Sequence, residues 1–428
     1  MFQRVSKKTV VLVLAILGIV AYLFITDFKI FKRFGYNNPP ATSAPIPQPG
    51  ELRFLTLPDN FSISVFAENL DKPRAMVFDA RGRLLVSETD GGRVMILEDK
   101  DKNGSAEAKR VLLSNLNKPH GIDFHTDPKT KKTYIYIAET NKVDRYEYDL
   151  DSGNITPVIN RNIATLPADG LNSIRSIAFG PNFRKQQLIG GQSDVNTQVP
   201  IKLYISVGSS CDVCIEDTWK RAVILESDPN GNFTAEFAGG LRNSMFLTFH
   251  PQTKEIWATE IGREGLGSNL PPDEINIIRV ATEEHQFGAR RYGWPFCYGK
   301  QVKDTKFNPG EFSRKDIPTD CNQTEAAAIE LPAHVSPLGL VFIPEKWPKE
   351  WRNNLLVAYH GSSKNQSGYK IVRFNVDKNG KVASSEDFIT GWQKNGKILG
   401  SPTDLKFGSD GALYISDDVS GVIYRVTP

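Results

Sequence analysis

One short segment has the residue types and the spacing that bind a hard cation. Asp99, Asp101 and Asn103 alternate along the chain, and a glycine stands at position six of this D-x-D-x-N-G order. Alternate oxygen ligands and that glycine let a tight loop wrap Ca²⁺. Glu107 follows at position nine, but the acidic residue that a full calcium loop carries at position twelve is missing. The segment therefore predicts either a calcium site or a polar turn between strands.

The four cysteines are the second group whose chemistry matters. Cys211 and Cys214 form a C-x-x-C pair, and Cys297 and Cys321 flank an insertion. A zinc site needs further ligands at suitable spacing, and a thioredoxin-like site needs a βαβ context; neither is evident. An even number of cysteines in an exported chain favours structural disulfides. We therefore predict the bonds Cys211–Cys214 and Cys297–Cys321, with a redox or metal role as the alternative.

The histidines give no metal motif, because metal binding by any pair of the six cannot be argued from their spacing alone. The sequence also lacks the G-x-S-x-G, H-E-x-x-H and Walker motifs of common nucleophile, zinc and phosphate sites. His120, His334 and His360 each lie at the start or end of a repeated strand. In a propeller those strand ends line the mouth of the central channel, where a histidine can be structural or functional.

The elements that position these residues begin after an unusual N-terminus. Residues 9–25 form an apolar run that follows Arg4, Lys7 and Lys8, and no small-residue cleavage site comes after it. A run of this length can span a membrane, so we expect residues 1–33 to form a cytoplasmic n-region and an uncleaved signal-anchor helix. Residues 34–50 contain five prolines and predict an extended linker. We expect the remainder, residues 51–428, to form the folded domain on the extracytoplasmic side.

An internal repeat organises that domain. Six units of three short alternating strands start near residues 72, 118, 174, 242, 336 and 401. Such a repeat predicts a six-bladed β-propeller, since one small sheet cannot bury both of its faces and stacked sheets can. A β-sandwich is the alternative. The last unit shows only three strands, so we expect residues 61–66 to close the ring by completing it.

The charge balance argues against one class of function, the binding of nucleic acid. Basic and acidic residues nearly balance beyond residue 33, so the domain has no electrostatic reason to bind nucleic acid.

A G-G-L-R-N motif stands at residues 239–243, and a Y-G-W-P motif stands at residues 292–295. The stretch from residue 239 to residue 295 resembles the glucose/sorbosone dehydrogenase family, soluble-type quinoproteins that use pyrroloquinoline quinone (PQQ). Weaker matches keep the family order across roughly residues 55–428. The resemblance implies a six-bladed propeller with PQQ and Ca²⁺ at the channel mouth, where a sugar or aldehyde hydrate gives a hydride to the quinone.

The resemblance also implies site residues. Arg242 and Asn243 match positions that contact PQQ, and the turn Gly262-Arg263 matches the segment whose backbone carbonyls hold the cofactor's Ca²⁺. His360 matches a position near the pocket.

The family's catalytic histidine is not found. It precedes an arginine that corresponds to Arg175, also a candidate for cofactor binding, and its position falls on Asn172 or Leu171. Neither side chain can act as a general base near neutral pH. His120, which also matches a position near the pocket, is then the candidate base.

A second departure concerns the last repeat, where the family often places an arginine that faces the cofactor. Ser401 stands there instead.

Two hypotheses about the function follow. The first is a membrane-anchored, PQQ-dependent dehydrogenase of an aldose or sorbosone-like substrate, with an external electron acceptor. The second is a non-catalytic propeller that binds a sugar, a glycan or a protein. A calcium-dependent lactonase-type propeller would need clustered acidic ligands at the channel, which the sequence does not assemble.

Overall fold

A computed structural model describes residues 52–186, 200–282 and 288–428. Within these ranges no helix is long and apolar enough to cross a membrane. The predicted signal anchor and the predicted linker lie outside the described residues. The helical segments described are short 3-10 turns at Leu52–Phe54, Phe183–Gln186 and Cys321–Gln323.

The described strands form six sheets of four antiparallel strands each. The first three blades contain, in order, Pro73–Phe78, Leu84–Glu88, Arg93–Glu98 and Ala108–Leu113; Ile122–Thr126, Thr133–Glu139, Lys142–Tyr148 and Ile155–Thr165; and Arg175–Pro181, Ile201–Val207, Val223–Ser227 and Thr234–Gly239. The last three blades contain Ser244–Phe249, Ile256–Glu260, Asp273–Ile278 and Ile329–Leu331; Pro337–Phe342, Leu355–Tyr359, Lys370–Val376 and Val382–Ile389; and Pro402–Phe407, Leu413–Asp417, Val422–Thr427 and Ser62–Ala67.

Short strands decorate this framework. Arg290–Arg291 adds a parallel edge to the third blade. Two small hairpins pair Cys297–Tyr298 with Val302–Lys303 and Gln393–Lys394 with Lys397–Ile398.

The ring closes as the sequence predicts. Ser62–Ala67 pairs antiparallel with Val422–Thr427 and becomes the outer strand of the sixth blade. The innermost strands of successive blades contact one another, including those of the first and sixth blades. The described part of the chain is therefore an all-β, six-bladed propeller, and the β-sandwich alternative is wrong.

Alternating apolar residues explain why these strands stack. The second strand of each blade is covered on both faces, and all five residues of Leu84–Glu88 are buried. Neighbouring blades share apolar clusters, such as the one that joins Trp347, Trp392 and Tyr424 between the fifth and sixth blades. Burial of such area supplies the main favourable free energy of folding. At Gly339 a side chain would not fit, because an added Cβ would lie 2.6 Å from the Cα of Asp404.

The strand directions define two ends of the propeller. In every blade the innermost strand starts, and the second strand finishes, at the same end, which we call the upper end. In four blades an acidic residue at the end of the second strand accepts a backbone N–H from just before the innermost strand. The four pairs are Glu88 with Asp71, Glu139 with Asn117, Glu260 with Asn243 and Asp417 with Ser401. These carboxylates fix the segments that enter these four blades at the upper end.

Both predicted disulfides are confirmed. Cys211 bonds to Cys214 and Cys297 bonds to Cys321, and no cysteine is free. The first bond closes a short loop after the second strand of the third blade. The second ties the insertion of the fourth blade to itself.

Candidate functional site

The residues predicted from the G-G-L-R-N motif lie at the upper end, between the third and fourth blades. Arg242 and Asn243 precede the innermost strand of the fourth blade, and both are buried. The carbonyl of Arg242 accepts the Ser209 N–H at 2.7 Å. Ser209 in turn accepts Asn172 Nδ2 at 2.8 Å. The structure therefore brings Arg242, Asn243 and Asn172 together.

Asp212, in the Cys211–Cys214 loop, organises the same region. The Arg242 guanidinium donates from Nη2 to Asp212 Oδ1 at 2.9 Å and from Nε to the Asp212 carbonyl at 3.0 Å. Trp294 donates from Nε1 to that carbonyl at 3.2 Å, and the Glu264 N–H donates to Oδ1 at 2.8 Å. One aspartate thus joins the disulfide loop to both motifs of the 239–295 stretch. Sequence analysis missed Asp212, although its place inside the C-x-x-C pair was visible.

The Gly262-Arg263 turn is held from below by Asp273. One carboxylate oxygen of Asp273 accepts the Gly262 N–H at 2.8 Å, and the other accepts the Ser336 N–H at 2.8 Å. Burial raises the pKa of Asp273 to about 6. Arg263 lies 3.1 Å from Asp304 in an ion pair that is almost wholly buried. No described hydrogen bond ends on the carbonyl oxygens of Gly262 or Arg263.

A row of three glutamates runs beneath this turn. Glu260, Glu274 and Glu330 stand directly opposite one another on three adjacent strands of the fourth blade. Like charges placed opposite each other are unfavourable in a sheet. Burial raises the pKa of Glu260 to about 8 and that of Glu274 to about 7, and the neighbouring carboxylates add to both shifts. Glu260 and Glu274 line a small cavity of about 30 Å³ together with Arg242 and Arg263.

A second polar group lies at the upper end between the fifth, sixth and first blades. His360 places Nε2 2.8 Å from Asp418 Oδ1. The other oxygen of Asp418 accepts the Arg74 guanidinium. The His360 side chain is 24% exposed and that of Arg74 is 16% exposed, so both reach the mouth. Sequence analysis singled out His360 but missed Arg74 and Asp418, which are joined across a separation of 344 residues.

The pKa of Asp418 is lower than usual despite its burial. Burial by itself would raise that pKa, but the charges of His360 and Arg74 outweigh it. Asp418 therefore remains a carboxylate throughout the neutral range.

His120 lies just before the innermost strand of the second blade and is completely buried. The ring has no exposed surface, its Nδ1 is 3.3 Å from Ser176 Oγ, and it packs edge-on against Phe246. Burial holds the pKa of His120 well below its usual value, so the ring is neutral near pH 7. Its Nε2 is buried and has no described hydrogen-bond partner.

Arg175 also turns away from the mouth. Its buried guanidinium donates to four backbone carbonyls, those of Thr140, Asn172, Ile174 and Pro167. Arg175 therefore holds in place the segment that carries Asn172. Leu171, the other position aligned with the family's histidine, is 61% exposed.

Ser401, which stands at the family's arginine position, is fully buried and donates its hydroxyl to the His360 carbonyl. The Arg74 guanidinium reaches the same side of the mouth from the first blade.

The predicted calcium loop is at the other end of the propeller. It connects the third and fourth strands of the first blade, and carboxylate oxygens of Asp99, Asp101 and Glu107 lie within 4.8 Å of one another. Asp101 also accepts from Asn103 Nδ2 at 3.0 Å. The structure thus separates this loop from the upper end, and its affinity for calcium stays a prediction.

The residues at the upper end fit the groups that the family resemblance implies. Ca²⁺ prefers oxygen ligands, including backbone carbonyls, and the carbonyls of Gly262 and Arg263 have no described protein partner. PQQ carries three carboxylates and a quinone, which call for cations and hydrogen-bond donors. Arg242, Arg74 and the side-chain amide of Asn243 offer these groups. No described hydrogen bond uses that side-chain amide, whereas the main-chain N–H of Asn243 donates to Glu260.

Comparison with known proteins supports the resemblance. A protein of Borreliella burgdorferi described as uncharacterized is 31% identical over 379 residues, 87% of this chain and 90% of that protein. A pyrroloquinoline quinone-dependent sugar dehydrogenase of Hypocrea jecorina is 24% identical over 402 residues, 86% of this chain and 87% of that enzyme. The calcium structure of the family AA12 enzyme of Trichoderma reesei superposes with a TM-score of 0.69 at 22% identity, covering 90% of this chain and 98% of that one.

A family model described as TrAA12-like matches residues 55–428, the whole of the propeller but for its first few residues. Relatives of the chain are PQQ-dependent sugar dehydrogenases, as the sequence motifs predict. This chain therefore belongs to the TrAA12-like family.

Proposed function

We propose that this protein is a PQQ-dependent dehydrogenase that oxidises an aldose or a sorbosone-like aldehyde. The observation that carries the proposal is that two kinds of group lie together at the upper end of the propeller. Arg242 and Asn243 supply hydrogen-bond donors, and the Gly262-Arg263 turn supplies carbonyl oxygens that accept no described hydrogen bond. Those groups are the donors and acceptors that the cofactor and its cation require. The sugar dehydrogenase activity of relatives points to the same chemistry.

Each group has a distinct part in this proposal. Gly262 and Arg263 would hold Ca²⁺ through their carbonyls, while Arg242 and Asn243 would donate to the cofactor. Bound PQQ supplies a two-electron acceptor for a hydride. Asp212 keeps the Arg242 guanidinium in place, because it accepts two of its N–H groups. A cation fixed in advance stabilises developing negative charge without reorganisation.

We further propose that the propeller is tethered to a membrane on its extracytoplasmic side. The apolar run at residues 9–25 and the five prolines at 34–50 support an anchor and a spacer. Two disulfides and no free cysteine fit an oxidising compartment. Electrons would then pass to an external acceptor.

A non-catalytic propeller is the competing candidate, and the amide at Asn172 favours it. The experiment that separates the two candidates starts with PQQ binding by the purified full-length chain with Ca²⁺, measured from the absorbance of the cofactor. Dye reduction is then measured with aldoses and aldehydes. A dehydrogenase binds PQQ and turns over with one substrate class. A binding propeller gives no turnover with any sugar.

A further inference from the structure

The tautomer of His360 follows from its partner. Nε2 of His360 lies 2.8 Å from Asp418 Oδ1, and a carboxylate can only accept a hydrogen bond. The proton of the neutral imidazole is therefore on Nε2, and the lone pair is on Nδ1.

Asp418 is fixed as the orienting group. It is 8% exposed, and its second oxygen accepts the Arg74 guanidinium, so the carboxylate cannot rotate freely. The charged groups linked to His360 come from two other blades: Asp418 contacts it directly, and Arg74 acts through Asp418. Because the Arg74 guanidinium favours the ionised form of Asp418, the hydrogen bond that sets the tautomer persists across the neutral range.

Nδ1 of His360 is available at the mouth. No described hydrogen bond uses that nitrogen, and the side chain is 24% exposed. His120 differs in this respect, since its side chain has no exposed surface. Asn172 has no titrating group. Among His120, Asn172 and His360, only His360 combines a ring nitrogen with no described hydrogen bond, an orienting carboxylate and a partly exposed side chain at the mouth.

We propose that His360 is the general base of the reaction, with Asp418 as its positioning residue. The inference rests on the proposed function. In the reaction, the O–H bond of the substrate breaks and its proton goes to His360 Nδ1. The hydrogen on the same carbon leaves with its electron pair to the two-electron acceptor that PQQ supplies, and the C–O bond becomes C=O. The substrate thus loses two electrons and two hydrogens, and the base later releases its proton to water.

The first test compares His360→Asn with the unaltered full-length chain, both loaded with PQQ and Ca²⁺. A base contributes about 10²- to 10⁴-fold to rate. We expect kcat to fall by that factor while the affinity for PQQ changes less than threefold. The acidic limb of the pH profile should also disappear. His125→Asn, at the lower end of the propeller, is the matched control and should leave both quantities unchanged.

The same variant distinguishes a base from a cofactor ligand. If His360 only binds PQQ, His360→Asn weakens PQQ binding at least tenfold and leaves kcat intact at saturating cofactor. That result would overturn the inference. Retention of kcat within threefold together with normal PQQ binding would overturn it equally.

A second variant guards against the possibility that His360→Asn simply fails to fold. A second readout, NMR, does not require turnover. Asp418→Asn should lower kcat by about 10- to 100-fold. In ¹⁵N-histidine NMR of the cofactor-free chain, His360 should carry its proton on Nε2 in the neutral form, and Asp418→Asn should remove this preference for the Nε2–H tautomer. If the NMR spectrum shows the proton of neutral His360 on Nδ1, the inference is wrong. If PQQ binds but no substrate turns over, the proposed function fails, while the NMR result still decides whether the dyad exists.

Discussion

Arg242 donates two hydrogen bonds to Asp212, one to its side-chain oxygen at 2.9 Å and one to its backbone carbonyl at 3.0 Å. The two residues are 30 positions apart and lie on different blades. Asp212 stands between two disulfide-bonded cysteines, so the covalent loop, and not only packing, sets where the guanidinium points. The candidate cofactor site thus depends on a residue that has no part in the family's motif.

The first prediction concerns this ion pair. Asp212→Asn removes a charge facing a buried arginine and should lower the free energy of unfolding by about 1–3 kcal/mol. It should also weaken PQQ binding, because the guanidinium loses its charged partner and is held chiefly by the backbone carbonyls of residue 212 and Ile261. Chemical denaturation and absorbance titration measure the two effects. Asp217→Asn, an exposed residue on the same loop, is the control, and equal effects from both variants would contradict this role for Asp212.

The two disulfides should differ in what they stabilise. The Cys297–Cys321 bond closes a separation of 24 residues and the Cys211–Cys214 bond a separation of 3. In the chain-entropy model the longer loop contributes about 3 kcal/mol and the shorter about half of that. Replacing Cys297 and Cys321 by serine should therefore lower Tm more. Replacing Cys211 and Cys214 by serine should lower PQQ affinity more, because it releases Asp212. The reverse order would show that neither role is correct.

The glutamate row predicts a pH dependence of stability. Burial raises the pKa of Glu274 to about 7 from the usual 4.5, so the folded state holds this proton more tightly than the unfolded state. The resulting stabilisation is complete below about pH 4.5 and is lost as pH rises through about 7. Glu274→Gln cannot ionise, so its Tm should fall less between about pH 5 and about pH 8. Exposed Glu311→Gln should follow the unaltered chain, and an unchanged slope in Glu274→Gln would refute the assignment.

Much of the fold could be predicted from local pattern. The six repeats, the closing strand at 62–67 and both disulfides depend on strand alternation and cysteine spacing, which are readable along the chain. The position of the calcium loop at the lower end also follows once the strand directions are known. Its function does not follow, since a polar turn has the same residues.

The candidate site was only partly predictable, because its contacts join distant repeats. Arg242, Asn243 and the Gly262 turn came from a motif match. Asp212 and the Arg74–Asp418 pair could not be found that way, because each acts through a partner on another blade. His120 matched a family position near the pocket, but its burial depends on how the innermost strands pack and is invisible in the sequence.

The most direct test of the proposed function is dye reduction by the purified full-length chain with PQQ and Ca²⁺, across a panel of aldoses and aldehydes. We predict turnover that needs both PQQ and Ca²⁺ and that is confined to one class of sugar. Bound PQQ with no dye reduction on any member of the panel, in the unaltered chain and in Asn172→His alike, would contradict the dehydrogenase and leave a binding propeller.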